Sequence, residues 1–306
     1  MNRGELPPAL SPGDKIRIVS PAGPVDRKRL NDGVGLLEAW GYEVELSPHV
    51  FDNTGFLAGS DNDRLKDLSG ALLDRKVSCV FCSRGGYGVL RLLDRLPYDE
   101  ILRQPVKAFV GFSDVSAFQL VLRQRCGWVS FSGPQVAMAL SGDVTDRTAL
   151  HLRGMLDGSW RLLTWQDGDT PLLRPVRSGA ATGALLPCNL AMLVSLVGTE
   201  FMPNLSGAIL CIEDIDEPPY RVDRMLWQLR ESGVLSNIAA LVIGAFMWNK
   251  KPISDEVSGS ALDLFKHDGF PIWLDLPYGH IEDRLTLPVG SPAVIEDEGM
   301  LSLCKV

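Results

Sequence analysis

The chain has 306 residues, 45% hydrophobic and 22% charged, with 38 Asp and Glu against 30 Lys and Arg for a formal net charge of −8. That balance belongs to a globular chain with room for two domains, and it excludes a disordered or fibrous one. No stretch concentrates Lys and Arg, so nothing would offset phosphate repulsion, and nucleic acid and anionic membrane are excluded as expected partners.

In chain order, the opening MNRGELPPALSPGD lacks the apolar core of a secretory signal. No window approaches eighteen uninterrupted apolar residues, which predicts a cytoplasmic protein without a membrane span. KIRIVSPAG (15–23) reads as a strand, RLNDGVGLLEAWG (29–41) as an amphipathic helix stopped by Gly41, and YEVELSPHV as a strand. SDNDRLKDLSGALLDRK (60–76) opens with a Ser/Asp capping cluster and continues at helical spacing. VSCVFCS follows as a strand, then the turn RGGYG, a helix through VLRLLDRL, the strand KAFVGFS, the helix DVSAFQLVLRQRCG and the strand WVSFSG. The C-x-x-C of Cys79 and Cys82 lies in a strand, so its thiols face opposite ways and suit a core rather than a redox or zinc site. All six cysteines are scattered, as in a reduced protein.

The pattern weakens through DGSWRLLTWQDGDTPLLRPVRSG. The chain is therefore divided into an N-terminal domain (1–150), a connecting segment (151–178) and a C-terminal domain (179–306). In the last of these, GAILCIED, AALVIGAFM and PIWLDLPYGH read as strands and RVDRMLWQLRESG and SDEVSGSALDLFKHDG as helices. PAVIEDEGMLSLC reads as a terminal hairpin. Strands separated by helices predict an α/β fold with a mostly parallel sheet and a cleft between two domains.

Four segments could carry chemistry. In VGFSDVSAF, Ser113 falls on a strand-to-helix turn, where a hydroxyl is exposed beside backbone N–H groups and the positive end of a helix. The same residues would also serve as a plain helix cap. In CSRGGYGVL, Gly85 and Gly86 let backbone N–H groups approach a phosphate, a carboxylate or a developing oxyanion, and Arg84 beside them could pair with a terminal carboxylate. A tight turn with a surface Arg is the plainer alternative. In ILCIEDIDEPPYRVDRML, Glu213 ends an apolar strand, where a carboxylate can orient a base. Asp214, Asp216 and Glu217 beside it raise a divalent metal, but Arg221 and Arg224 make local ion pairing the better reading, so no metal and no cofactor is expected. Of the four histidines (49, 151, 267 and 280), only His280 lies in a loop at a strand's end, in PYGH.

Together these segments resemble the LD-carboxypeptidase family of serine peptidases, which includes murein tetrapeptide carboxypeptidases and microcin-immunity peptidases. The resemblance runs in order through SPGDKIRIVSPAG, FLAGSDNDRLKDL, CSRGGYGVLRLL, VGFSDVSAF, SGPQ, NLAMLVSLVGTEF, ILCIEDIDEPPYRVDRMLWQL and PYGHIEDRLTLPVG. It implies a flavodoxin-like N-terminal parallel-sheet domain carrying the nucleophile and a mixed α/β, swivelling-type C-terminal domain, in a homodimer. It also implies a Ser113–Glu213–His280 triad, matched on G-F-S-D, on the E-D-x-x-E-x-P-Y-R motif and on P-Y-G-H. The implied substrate is a small peptide, the murein tetrapeptide, whose terminal D-Ala is removed during cell-wall recycling. Backbone N–H groups of Asp114 and Gly86 would form the oxyanion hole, and Arg84, Gly85 and Arg284 would bind substrate. One departure is visible: Pro187 and Cys188 stand where many members have two glycines before Asn189 and Leu190. The rival readings are a microcin-type peptidase cleaving an aminoacyl-nucleotide linkage, with a stacking aromatic such as Trp165, a metal hydrolase, and a non-catalytic small-ligand binding protein.

Overall fold

The computed structural model describes residues 4, 6–138, 140–142, 144–159, 164–167 and 170–304, with side chains at all of these except 164–167, 170 and 171. In the first half, β1 (Lys15–Val19), α1 (Arg27–Ala39), β2 (Glu43–Leu46), α2 (Asp61–Leu73) and β3 (Cys79–Cys82) alternate. They are followed by α3 (Tyr98–Leu102), β4 (Ala108–Gly111), α4 (Ser116–Cys126), β5 (Ser130–Ser132) and α5 (Asp146–Asp157). Capping residues start the helices: the side chain of Asp26 accepts from Arg29 N–H for α1, and that of Ser60 accepts from Asp63 N–H for α2.

Strands β1 to β5 lie parallel in the order 2-1-3-4-5, the flavodoxin-like arrangement. Period-two alternation fills a core on each face of this sheet: Val80, Cys82 and Phe109 go to one, Cys79, Phe81 and Ala108 to the other. Cys79 and Cys82 thus face opposite ways, each fully buried. The segment VLRLLDRL differs from the α-helix expected of it. Val89–Arg95 winds as a 3-10 helix, with Arg91 N–H bonded to Gly88 O, and its first N–H, that of Val89, is taken by the Asp114 carboxylate.

The second half contains β6 (Thr164–Asp167), β7 (Thr170–Pro171), β8 (Arg174–Arg177), β9 (Ala181–Asn189), α6 (Leu190–Leu196), β10 (Ala208–Ile215) and α7 (Pro219–Glu231). It continues with β11 (Ala240–Trp248), β12 (Lys251–Pro252), α8 (Ser254–Leu264), β13 (Ile272–Leu274), β14 (Leu287–Val289), β15 (Pro292–Ile295) and β16 (Leu301–Leu303). Parallel strands β9, β10, β11 and β13 form the centre of a mixed sheet. The β15–β16 hairpin with β6 and β7 extends one side, and β8 closes the other. Within the stretch expected to connect the halves, the structure therefore has the end of α5 and three strands of this sheet.

Two features lock the halves together. One core runs without a break from Leu122 and Trp128 of the first half to Leu190, Leu193 and Ile212 of the second. Strand β14 also leaves the second half and pairs antiparallel with β5, Leu287 opposite Ser132, so the last tenth of the chain completes the first sheet.

Candidate active site

Ser113 follows β4 and Phe112 and opens a 3-10 turn (Ser113–Val115) that runs into α4. Its φ of 62° is left-handed, which a non-glycine residue holds only where its surroundings impose it. The Gly-rich turn after β3 supplies that constraint. A Cβ at Gly85 would stand 2.9 Å from Ser113 Cβ and 3.3 Å from Phe112 O, so only glycine permits the two turns to touch. At a helix start the first backbone N–H groups have no intrahelical acceptor, and Asp114 offers its N–H there, beside the Ser113 hydroxyl. Among the described residues Ser113 Oγ makes no hydrogen bond.

Glu213 lies on β10, opposite Asn189 of β9 in the strand register, and is fully buried. His280 Nδ1 is 2.7 Å from Glu213 Oε2. With the carboxylate accepting, Nδ1 carries the hydrogen and Nε2 is left with its lone pair. The remaining Glu213 oxygen, Oε1, accepts from Asn189 Nδ2 at 3.2 Å, and the same amide nitrogen donates to Asp214 Oδ1 at 2.9 Å. Burial first, and the Glu213 charge next, push the Asp214 carboxyl up to about 6. His280 approaches Glu213 closely because Gly279, at φ 136°, leaves no Cβ to meet Glu213 and Ala245.

The Ser113 turn and the His280 loop meet through Phe112. Its ring lies 4.7 Å from the His280 ring and 5.7 Å, edge-on, from that of Tyr278. Tyr278 OH and Ser132 Oγ are hydrogen-bonded at 2.8 Å, tying β5 to the same loop. Ser113 is thus the residue after the one whose ring packs on His280, and among the described residues no hydrogen bond joins the two. Such bonds commonly tighten only with substrate in place.

The residues expected to bind substrate divide. Arg84 donates from Nη1 to Pro24 O at 3.1 Å and stands beside Gly86. Arg284 belongs to the His280 side: Nη1 donates to Gly279 O at 3.2 Å, the guanidinium covers the Phe112 ring at 5.0 Å, and burial lowers its pKa. Gly85, expected to bind substrate, has both backbone polar groups committed, its N–H to Gln135 and its carbonyl to Gly23 N–H. Gly86 is an exposed residue, and among the described residues its N–H makes no such bond. The acidic run from the end of β10 onward reads as local pairing: Asp214 accepts from Asn189, Ala191 and Ile215, and Glu217 pairs with Arg221 at 3.0 Å. His49 hydrogen-bonds Asp52, and with Asp63 these form a half-buried group whose polar atoms lie within 4.8 Å of one another. The side chain of Trp165 lies outside the described residues.

Gln135 and Asn189, buried amides beside Ser113 and Glu213, were assigned no chemistry from the sequence. Their signals were slight: SGPQ directly after β5, and an Asn at a helix start.

Comparison with known proteins agrees with this architecture. Residues 16–133 match the LD-carboxypeptidase N-terminal domain and residues 182–295 the LD-carboxypeptidase C-terminal domain. A Streptomyces coelicolor relative is 36% identical over 302 residues, 97% of this chain and 95% of its own. The crystal structure of muramoyltetrapeptide carboxypeptidase from Oxalobacter formigenes is similar at 33% identity and TM-score 0.81, covering 94% of this chain and 97% of that one. The microcin C7 self-immunity protein MccF, in complex with aspartyl sulfamoyl adenosine, is similar at TM-score 0.88 over 99% of both chains. At 21% identity that likeness is one of fold. Among the described residues no helix is long and apolar enough to cross a membrane. By its two matched domains and its full-length relatives, the chain belongs to the LD-carboxypeptidase family.

Proposed function

We propose that this protein is a serine-type LD-carboxypeptidase that removes the terminal D-Ala from murein tetrapeptide in cell-wall recycling, acting in the cytoplasm as a homodimer. The observation that carries the reading is the 2.7 Å contact between His280 Nδ1 and a fully buried Glu213, set beside a serine in a left-handed turn. In this reading His280 Nε2 takes the proton from Ser113 Oγ as the oxygen attacks the carbonyl of the L-centre. Glu213 fixes the tautomer and stabilises the imidazolium. The oxyanion accepts from the N–H groups of Asp114 and Gly86, each worth about 100- to 1,000-fold in rate. His280 then protonates the departing amine of D-Ala, and water releases the acyl group from Ser113. In this reading Arg84 and Arg284 read the free carboxylate.

The test is release of D-Ala from the free tetrapeptide, followed by mass spectrometry. Wild type should release it, and Ser113→Ala should lose about 10⁶-fold in kcat. If wild type releases none, the peptide assignment fails, and an aminoacyl-nucleotide linkage is the next substrate to present.

A further inference from the structure

Gln135 lies three residues beyond β5 and is almost completely buried, at 3% exposure. Its side chain ends between two turns that come from different strands. Nε2 donates to Phe112 O at 3.0 Å, and Oε1 accepts from Gly85 N–H at 2.8 Å. Phe112 is the residue before Ser113, and Gly85 is the residue packed on Ser113 Cβ. A primary amide offers a donor and an acceptor on one rigid plane, so a single group holds both turns at once. The amide is itself well anchored. Ala137 N–H bonds to Ser83 O, Val136 N–H to Cys82 O, and Met138 N–H returns to Gln135 O. The loop is therefore fastened to the end of β3, the strand that leads into the Gly-rich turn.

The bridge has a chemical consequence. Gly85 N–H, given to Gln135, fixes the Arg84–Gly85 peptide unit, and Gly85 O, accepting from Gly23 N–H, fixes the Gly85–Gly86 unit, which leaves Gly86 N–H as the turn's free donor among the described residues. Oxyanion donors act only if set in advance at about 2.7–3.1 Å from the developing charge. We propose that Gln135 is a positioning residue: its side-chain amide sets the separation and orientation of the Gly85–Gly86 turn relative to Ser113. This rests on the reading of Ser113 as nucleophile given above.

The experiment compares wild type, Gln135→Met, which keeps the volume and removes both hydrogen bonds, and Gln135→Glu. D-Ala release gives kcat and KM. Phosphonylation of Ser113 by a fluorophosphonate, with fluoride leaving, gives a rate that needs the serine and oxyanion donors but no peptide. Gln135→Met should lose about 100-fold in kcat, the scale of a 1 Å misplacement, with KM within about twofold. Phosphonylation should slow in step. Gln135→Glu should approach wild type as pH is lowered, because only a protonated carboxyl can donate to Phe112 O while accepting from Gly85. A kcat within about threefold of wild type in Gln135→Met, or a loss expressed in KM, overturns the inference. If Gln135→Met fails to fold, the Gln135→Glu to wild-type ratio decides, and a ratio flat with pH overturns it. A wild type that is phosphonylated yet releases no D-Ala sinks the peptide reading alone, and the phosphonylation rates then judge Gln135. A wild type inert to both sinks the nucleophile and this inference with it.

Discussion

The His280–Glu213 pair is one hydrogen bond between a partly exposed ring and a carboxylate with no access to water. Replacing Glu213 by Gln keeps the volume but lets an amide N–H face Nδ1, which favours the tautomer with its hydrogen on Nε2, the wrong nitrogen for receiving a proton. The expected result is a fall of about 10⁴-fold in kcat for D-Ala release, with KM little changed, measured by steady-state kinetics. A fall under tenfold would mean that Glu213 does not orient the base. That Ser113 follows a strand was legible, because an apolar run that stops at a polar residue marks the edge of a sheet; Glu213, expected to end its strand, lies inside β10, and His280 lies six residues beyond β13. Their meeting was not legible: the Glu213–His280 contact spans 67 residues of sequence. Gln135 and Asn189 were still less legible, since a lone amide has no period to betray burial and its value comes from partners on other strands.

At the scale of elements, the site is an encounter between two turns, one after β3 and one after β4, pressed so closely that glycine is needed at 85. A methyl group there would meet Ser113 Cβ and the Phe112 carbonyl. Gly85→Ala should therefore displace the nucleophile and lower kcat/KM for D-Ala release by about 100-fold. The far-UV circular dichroism should stay that of wild type, because the change touches a turn and no helix or strand. A variant with wild-type kinetics would show that the two turns can part without harm. The alternation of strands and helices made the parallel sheet of the first half readable. The 3-10 winding of Val89–Arg95 was not, because the spacing of its buried residues Val89, Leu92 and Leu93 suits either kind of helix. Through 150–178, no amphipathic period separates short strands from irregular chain, so α5's end and β6 to β8 went unread.

At the scale of the molecule, His151 of α5 sits where the halves meet. It is buried at 1% exposure and accepts from Thr286 N–H at 2.9 Å, just ahead of β14. Burial, followed by the charge of Arg147, lowers its pKa to about 3. Between about 6.5 and 3 the unfolded chain binds a proton there that the folded chain refuses, so stability falls as pH falls. Urea unfolding should show wild type losing about 2 kcal/mol more than His151→Gln between pH 7 and pH 5. Asp214, whose raised pKa works in the opposite sense, is present in both proteins and cancels in the difference. Parallel losses in the two proteins would mean that His151 is charged in the fold.

The return of β14 to the first sheet also has a meaning in time. A ribosome delivers β5 long before Leu287–Val289, so until β14 is made the strand paired with β4 has one bare edge. Unpaired edges of apolar strands invite other chains. The first half of this protein is therefore a poor candidate for independent life: cut free at any point before β14, it would carry its own serine but a sheet left open beside it. Completion of that sheet and arrival of His280 are nearly the same event, since the loop bearing the histidine is what carries β14 home. A nascent chain thus lacks the Glu213–His280 pair until the residues just ahead of β14 are in place.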